Sequence, residues 1–394
     1  MKSRAIINKD VYLLGIVSFL TDVSSEMIFA VFSIFFTVIL GASTVLLGFI
    51  EGLADFASSS LDYISGVISD RTGKKRLLTG IGYGFSTLAK VILIFANSAF
   101  IASVFRVVER FGKSVRGPPK DAWLSSLTNK SNRGLSFGVH KALDKAGAVA
   151  GPLIAYFILS SFGQTKETFS LLFKIALIPA AAAVFFLFFI KENPTKKTER
   201  ENIFKAYKTM NESYKHYLYT AGIFSIAYFS FGFLLLKAYL VGYAIKDVVL
   251  LFALFNLSLV IVAAPIGKLG DYIGRKKIMY IEYIIYAFMS IGFIFASTKF
   301  EVLLLFILFG IFYAIDESQS KAYISDLESV KRGTAIGLYN FTTGVIYLPA
   351  SLIAGYLWQI NPNFTFIFAA ALSIITIIFF SSKARLHQPI LNEL

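Results

Sequence analysis

The sequence predicts an all-α membrane protein in which twelve transmembrane helices form two pseudo-symmetric six-helix halves. Three observations predict it. Hydrophobic residues make up 56% of the 394-residue chain, with 41 Phe and only 16% charged residues, a balance typical of membrane-spanning chains. Second, Gly66 to Lys75 reads GVISDRTGKK and Gly267 to Lys276, 201 residues on, reads GKLGDYIGRK. A second repeat supports the first: Arg133-Gly134-xxx-Gly138 recurs 199 residues later as Arg332-Gly333-xxx-Gly337. Third, most of the positive charge, 28 of 38 Lys and Arg, falls in alternate connections and at the termini.

At roughly 20 residues per span, twelve helices need about 240 apolar-dominated positions. Spans in the first half are expected near 11–36, 45–69, 77–96, 99–118, 135–160 and 168–190. The second half gives 216–240, 246–267, 278–297, 301–322, 334–358 and 364–381. Met1, Lys2 and Arg4 ahead of an apolar stretch suggest a secretory leader, but the run continues past Asp22 to Phe36 without a small-residue cleavage site and reads as the first span. The domains are therefore 1–190, a polar linker 191–215 and 216–394. Within the linker Ile203, Phe204, Tyr207 and Met210 lie at helical spacing among lysines, the pattern of a surface amphipathic helix.

The net charge of +14 is informative through its distribution. Of 38 Lys and Arg, 28 fall at the N-terminus, in 70–76, 113–133, 191–215, 268–277 and 321–332, and after 381. The opposite loops hold only Lys166, Lys246 and Lys299. The positive-inside rule then puts both termini and the central loop in the cytoplasm, which requires an even number of spans. Such a surface suits anionic lipid, and no nucleic-acid partner is expected. The chain has no cysteine, so disulfides and thiolate metal sites are excluded. The three histidines, 140, 216 and 387, make no metal-ligand pattern, and no GxxxxGK[ST] phosphate loop supplies an ATP-driven engine. No metal and no cofactor are expected.

A charge inside a span costs at least ~2.5–3.5 kcal/mol and asks for a reason. The first half carries most of them, so chemistry is expected there. Asp22 and Glu26, in TDVSSEM, share one helix face. Neighbouring carboxylates resist ionising together, so the pair reads as proton-coupling or substrate-binding. The competing reading is an ion pair with Arg106 or Arg110 that holds helices together. Glu51 and Asp55 repeat the spacing on the second span, with Asp62 further along nearly the same face.

On the fourth span RVVERFGK sets Arg106, Arg110 and Lys113 on one side, beside Glu109. Arg106 is placed to grip a substrate carboxylate or phosphate, or to neutralise Asp22 or Glu26. In the fifth span HKALDKAGAVAGP, Lys141 and Lys145 share a face with Asp144 nearby, and Lys141, Asp144 and Lys145 are candidate substrate contacts. Lys90 and Lys237 are candidates to face a cavity, and Lys174 to snorkel. In the tenth span Asp316 is preferred over Glu317 for the interior, since adjacent residues are not expected to point inward together. The aromatics suit either a cavity for aromatic solutes or lipid contact.

The repeated loop resembles the GxLaDRxGRK loop between helices two and three of the major facilitator superfamily, which recurs between helices eight and nine. TDVSSEM, RVVERFGKSVRGPPKDA and RGLSFGVHKALDKAGAVAGP together are similar to a prokaryotic subgroup of that family with no assigned substrate. The resemblance implies gating roles: Asp70 engages neighbouring helix ends and helps close the cytoplasmic side, Gly66 permits close helix contact, and Gly73 makes the turn. Arg71, Lys74, Lys75 and Arg76 keep it cytoplasmic. The second copy has Gly267, Asp271 and Gly274, with Tyr272 in place of Arg71. Gly138, Gly147, Gly151 and Pro152 follow the spacing of the motif of drug-exporting members, with Ala155 where its last glycine stands.

Paired halves of this kind place a substrate site near the midplane and work by rocking. The expected function is secondary active transport of a small organic solute, coupled to protons, by a monomer in a prokaryotic cytoplasmic (inner) membrane, and not an enzyme. Efflux of drugs or amphipathic compounds, organic-anion or siderophore transport, and lipid flipping are the alternatives.

Overall fold

In the computed structural model, residues 8–129, 132–192 and 207–382 are described. The first half holds α1 (Lys9–Ile34), which ends in a π-helical turn at Phe35–Ile39, α2 (Thr44–Thr72), α3 (Lys75–Ile94), α4 (Ala99–Ser126), α5 (Arg133–Phe162) and α6 (Lys166–Leu187). The second holds α7a (Glu212–Ala227), α7b (Phe231–Leu240), α8 (Ile245–Ile273), α9 (Arg275–Phe295), α10 (Lys299–Leu327), α11 (Arg332–Ile360) and α12 (Pro362–Ser382). Residues 203 and 204 of the expected surface helix lie outside the described residues, as does His387.

Side-chain caps set several starts. Ser43, Ser98 and Thr165 accept from Leu46, Ile101 and Thr168 N–H groups, and Thr298 with Glu301 forms a reciprocal capping box. Gly73, at φ 71°, ends α2 in the left-handed conformation that glycine adopts without strain.

Among the described residues, ten of the spans are long and apolar enough to cross a membrane. The two that fall short, α4 and α10, are symmetry counterparts, and both bring charges to the interior, Arg106, Arg110, Lys113 and Lys120 on α4 and Asp316 and Glu317 on α10. α2 and α8, at 29 residues each, extend about 43 Å at ~1.5 Å per residue, well beyond a hydrocarbon core of ~30 Å.

The pairings within the halves repeat. α1 packs on α5 and α6, α2 on α4, and α3 on α4 and α6; α7a packs on α11 and α12, α8 on α10, and α9 on α10 and α12. Between the halves α2 meets α11 and α5 meets α8, contacts that the pseudo-two-fold exchanges. The α2–α11 seam is closed by small residues: a Cβ on Gly355 would lie 3.1 Å from Val45 Cα, and one on Gly52 would lie 2.9 Å from Leu348 Cα.

The sequence expectation for the fourth span ends at 118, the first of two adjacent prolines. The helix instead runs through Pro118 and Pro119 to Ser126. A proline leaves the carbonyl four residues earlier without its N–H partner. For Pro118 that carbonyl is Ser114 O, and Ser65 Oγ on α2 donates to it at 2.9 Å, which meets one of the two acceptors that the prolines strip of their helical donor.

Candidate functional site

A cavity of about 560 Å³ separates the halves, walled by α1, α2, α4 and α5 on one side and by α7, α8, α10 and α11 on the other. It is open at the end of Lys120 and Lys141, the latter 54% exposed. At the other end buried Phe32, Ser33 and Leu235 close it, and Gly232 of α7b abuts the Ser33 side chain. The walls differ in chemistry. Asp316 and Glu317 are the only charges that the second half contributes among the described residues; its remaining lining is aromatic and polar, including Tyr228, Phe231, Phe252, Phe255, Tyr313 and Tyr347.

Arg106 and Glu51 form a two-point ion pair, Nε to Oε1 at 2.7 Å and Nη2 to Oε2 at 2.6 Å. This corrects the expectation that the ion-pair partner of Arg106 would be Asp22 or Glu26. Its plane lies over the Phe29 ring, 4.6 Å from the centroid. One turn along, Arg110 Nη2 meets Asp55 Oδ1 at 3.3 Å. The α4 arginines thus take the α2 carboxylates, because α2 packs directly on α4.

Asp22 and Glu26, half-buried in the α1 wall, make no direct ion pair among the described residues. The glycines of the α5 motif bring α5 close beneath them: a Cβ on Gly147 would lie 3.1 Å from Asp22 Cβ, and one on Gly151 would lie 3.1 Å from Glu26 Cβ. Gly138, the motif's first glycine, faces open space.

Nearer the open end, Glu317 of α10 bridges the halves. Its Oε1 accepts from Lys141 Nζ at 2.8 Å and its Oε2 from Lys145 Nζ at 2.9 Å. Asp144 lies 3.6 Å from Lys141 and 3.9 Å from Lys120. Asp316 also lines the cavity and accepts from Ser320 Oγ at 3.4 Å. The expectation that only one of the two α10 acids points inward is therefore corrected, since both sit on an arc wide enough to face the space between the halves.

Lys90 does not reach the cavity. It is fully buried inside the first half, where Nζ donates to Ser25 Oγ at 3.2 Å and Ser86 O at 3.4 Å. Lys237 instead donates to Asn363 Oδ1 at 3.2 Å, and Lys174 is exposed on the outer surface. His140 Nε2 lies 3.0 Å from Ser18 Oγ. Among the described residues no cluster of His, Asp or Glu is suited to hold a metal.

The repeated loops tie helices within each half. After Gly66, Asp70, Arg71, Gly73 and Lys74, Lys75 Nζ donates to Ala122 O on α4 at 3.1 Å, and Arg76 Nη2 donates to Phe188 O beyond α6 at 2.8 Å. In the second copy Arg275 joins Asp271 at 2.9 Å and Asp326 at 2.6 Å, binding the ends of α8 and α10 through α9.

Sequence reasoning passed over Arg116, Lys120, Glu317 and Ser230, all of which line the cavity. Arg106, Arg110, Lys113 and Lys120 continue one helical stripe, a signal hidden by ending the helix at the prolines. Ser230 had no such signal. It lies in the break between α7a and α7b, caps Gly232 N–H at 3.2 Å and donates to Glu51 Oε2 at 3.3 Å.

The comparisons agree with this architecture. The sequence profile of the Major Facilitator Superfamily matches residues 14–249 and 221–390. An uncharacterized MFS-type transporter of Methanocaldococcus jannaschii is 35% identical over 381 residues, 94% of either chain. The multidrug resistance protein MdtH of Photorhabdus laumondii is 31% identical over 139 residues, 34% of this chain and 33% of its own. Among solved structures, a variant of the nucleoside transporter NupG superposes with a TM-score of 0.81 at 13% identity, covering 94% of this chain and 99% of its own. The POT family transporter PepTSo superposes with a TM-score of 0.79 at 12% identity, covering 95% and 97%; at these identities the likeness is one of fold. With the paired halves, the cavity between them and the relatives that share them over nearly their whole length, the chain belongs to the major facilitator superfamily of membrane transporters.

Proposed function

We propose that the chain is a secondary active transporter of a small organic solute, driven by a proton gradient and exposing the cavity alternately to either side as its halves rock. The observation that carries this reading is the pair of Asp22 and Glu26: two carboxylates, one turn apart, face a cavity in which Glu51, Asp55, Asp144 and Glu317 already have cationic partners. Acids without such partners are available to exchange a proton or to meet a substrate cation. Glu51 and Asp55 complete the coupling set. Lys141, Asp144, Lys145 and Asp316 face the same space as substrate contacts, and Arg106 acts through Glu51. Residues 1–190 and 216–394 are the moving units. Asp70, Arg71, Lys74 and Asp271, with Gly66 and Gly73, hold the helix ends of each unit together as it moves. The basic loops orient the open end toward the cytoplasm.

The test is reconstitution in proton-tight liposomes with an internal pH-sensitive dye, challenged with pooled organic anions, amino acids, sugars and amphipathic cations. Proton movement induced by one pool supports the reading and names the charge class. Silence across all pools counts against coupling.

The aromatic wall supports a second reading, export of amphipathic compounds. Phe231, Phe252 and Phe255 offer stacking surfaces opposite the charged wall, and the partial match to the MdtH multidrug resistance protein supports the same reading.

A further inference from the structure

Arg106 stands between two acids that it serves unequally. Glu51 takes Nε and Nη2 at 2.7 and 2.6 Å, whereas Glu109, on α4 itself, lies 3.7 Å from Nη1. Glu109 is 1% exposed, neither of its carboxylate oxygens has a hydrogen-bond partner, and Nη1 of Arg106 has none either. A buried acceptor left empty beside a buried donor left empty calls for an explanation. A small rotation of the guanidinium would join them.

Glu51 has a second engagement that Glu109 lacks. Ser230, from the other half, donates to its Oε2 at 3.3 Å, and the same hydroxyl caps the first turn of α7b. This contact crosses the closed end of the cavity, where Gly232 meets Ser33. It exists only while the halves are together at that end.

We propose that Glu51 is the proton-operated latch of the closed end, and that Arg106 is exchanged between Glu51 and Glu109 as the latch works. The inference rests on the transport reading above and gives one of its four coupling acids, Glu51, the further task of sensing the state of the gate. With Glu51 anionic, Arg106 and Ser230 hold it together and the end stays shut. Binding a proton to Glu51 removes the anion, Arg106 turns to the waiting Glu109, and the Ser230 contact loses its charged acceptor. Because the latch contact belongs to one conformation alone, proton binding and opening are linked reciprocally.

The other charged and titratable groups around the pair are few. Asp55 and Arg110 pair with each other one turn away. Lys90 of α3, bonded to Ser25 and Ser86, lies behind Glu109. Glu26 of α1 lines the wall opposite. α11 carries no charge beyond Arg332 at its start and brings Tyr347 to the cavity, while α7 brings Tyr228.

The chain has no native cysteine, so spin labels can be placed without background. Gln164→Cys and Lys246→Cys flank the closed end from opposite halves, where Lys246 N–H donates to Gln164 Oε1 at 3.3 Å. Pulsed spin-resonance distances in liposomes, without substrate, then report the closed and open populations in mildly alkaline and acidic buffer. The parent is expected to be closed at alkaline pH and to open on acidification. Glu51→Gln should open the end at both pH values. Glu109→Gln should stay closed in alkali and lose the response to acid. Ser230→Ala should shift the open-to-closed ratio by about tenfold, the effect of a hydrogen bond to a charged group, while keeping its pH response.

A Glu51→Gln protein that retains the parent's pH response, or a Ser230→Ala protein with an unchanged ratio, overturns the proposal. If Glu51→Gln fails to fold with Arg106 unpaired, Ser230→Ala and Glu109→Gln carry the test. Since no substrate is used, a silent transport screen beside these distance changes would sink the coupled-transport reading and leave the latch standing.

Discussion

Arg106 on α4 and Glu51 on α2 meet through two contacts of 2.7 and 2.6 Å with both side chains almost wholly buried. Breaking such a pair strands a charge, whereas replacing both partners together does not. Arg106→Met alone is expected to cost ~3–5 kcal/mol, read as a lower unfolding temperature in mild detergent. The double variant Arg106→Met/Glu51→Leu should recover part of that loss, because Glu109 loses its Arg106 neighbour in both variants, and still fail to transport. A double variant no more stable than Arg106→Met would mean that the pair contributes packing rather than charge compensation.

The glycines of the α5 motif divide by what stands opposite them. Gly151 faces the α1 backbone, where a Cβ would lie 2.6 Å from Val23 O and 3.0 Å from Met27 N, whereas nothing lies within 4 Å of the same atom on Gly138. Gly151→Val must push α1 from α5, at a cost of ~1–3 kcal/mol, and should displace Glu26 with it. Gly138→Ala is expected to be neutral in both melting temperature and transport. Equal effects of the two would show that the motif acts through something other than helix approach.

Ser65 is expected to matter because of a proline on another helix. Its hydroxyl supplies the hydrogen bond that Pro118 withholds from Ser114 O, so Ser65→Ala should destabilise the protein by ~1–3 kcal/mol. Restoring the backbone donor with Pro118→Ala should make the Ser65 change nearly silent. The check is a double-mutant cycle on the melting temperature; additive losses would remove the explanation for the unbroken helix.

The halves and their spans were legible because apolar length and the repeated loops are properties of contiguous sequence. The ion pairs were not. Asp22 with Glu26 and Glu51 with Asp55 present the same two carboxylates at the same spacing, and Arg106 with Arg110 fits either stripe. Only the packing of α2 on α4, against that of α1 on α5 and α6, decides between them. The Lys141–Glu317 bridge joins residues 176 positions apart and depends on how the halves meet, which local spacing does not encode. Lys120 was lost for a different reason, since the double proline reads as a stop until Ser65 is seen to meet the carbonyl that Pro118 leaves.

Asp22 and Glu26 are then the acids whose removal should separate folding from function. Each is half-buried in the cavity wall without a direct ion-pair partner among the described residues, so Asp22→Asn and Glu26→Gln strand no paired cation. Both variants should keep the parent's stability within about 0.5 kcal/mol, the range for changes that disturb no buried pair, read as a nearly unchanged melting temperature. They should also keep the pH response of the closed end, which the Glu51 latch governs. What they should lose is accumulation against a gradient. With the substrate pool that moves protons in the parent, imposed proton gradients should drive uptake into parent liposomes and not into those of the double variant, while exchange without a gradient continues. Full gradient-driven uptake by the double variant would remove the α1 pair from the coupling machinery and leave Glu51 and Asp55 to carry it.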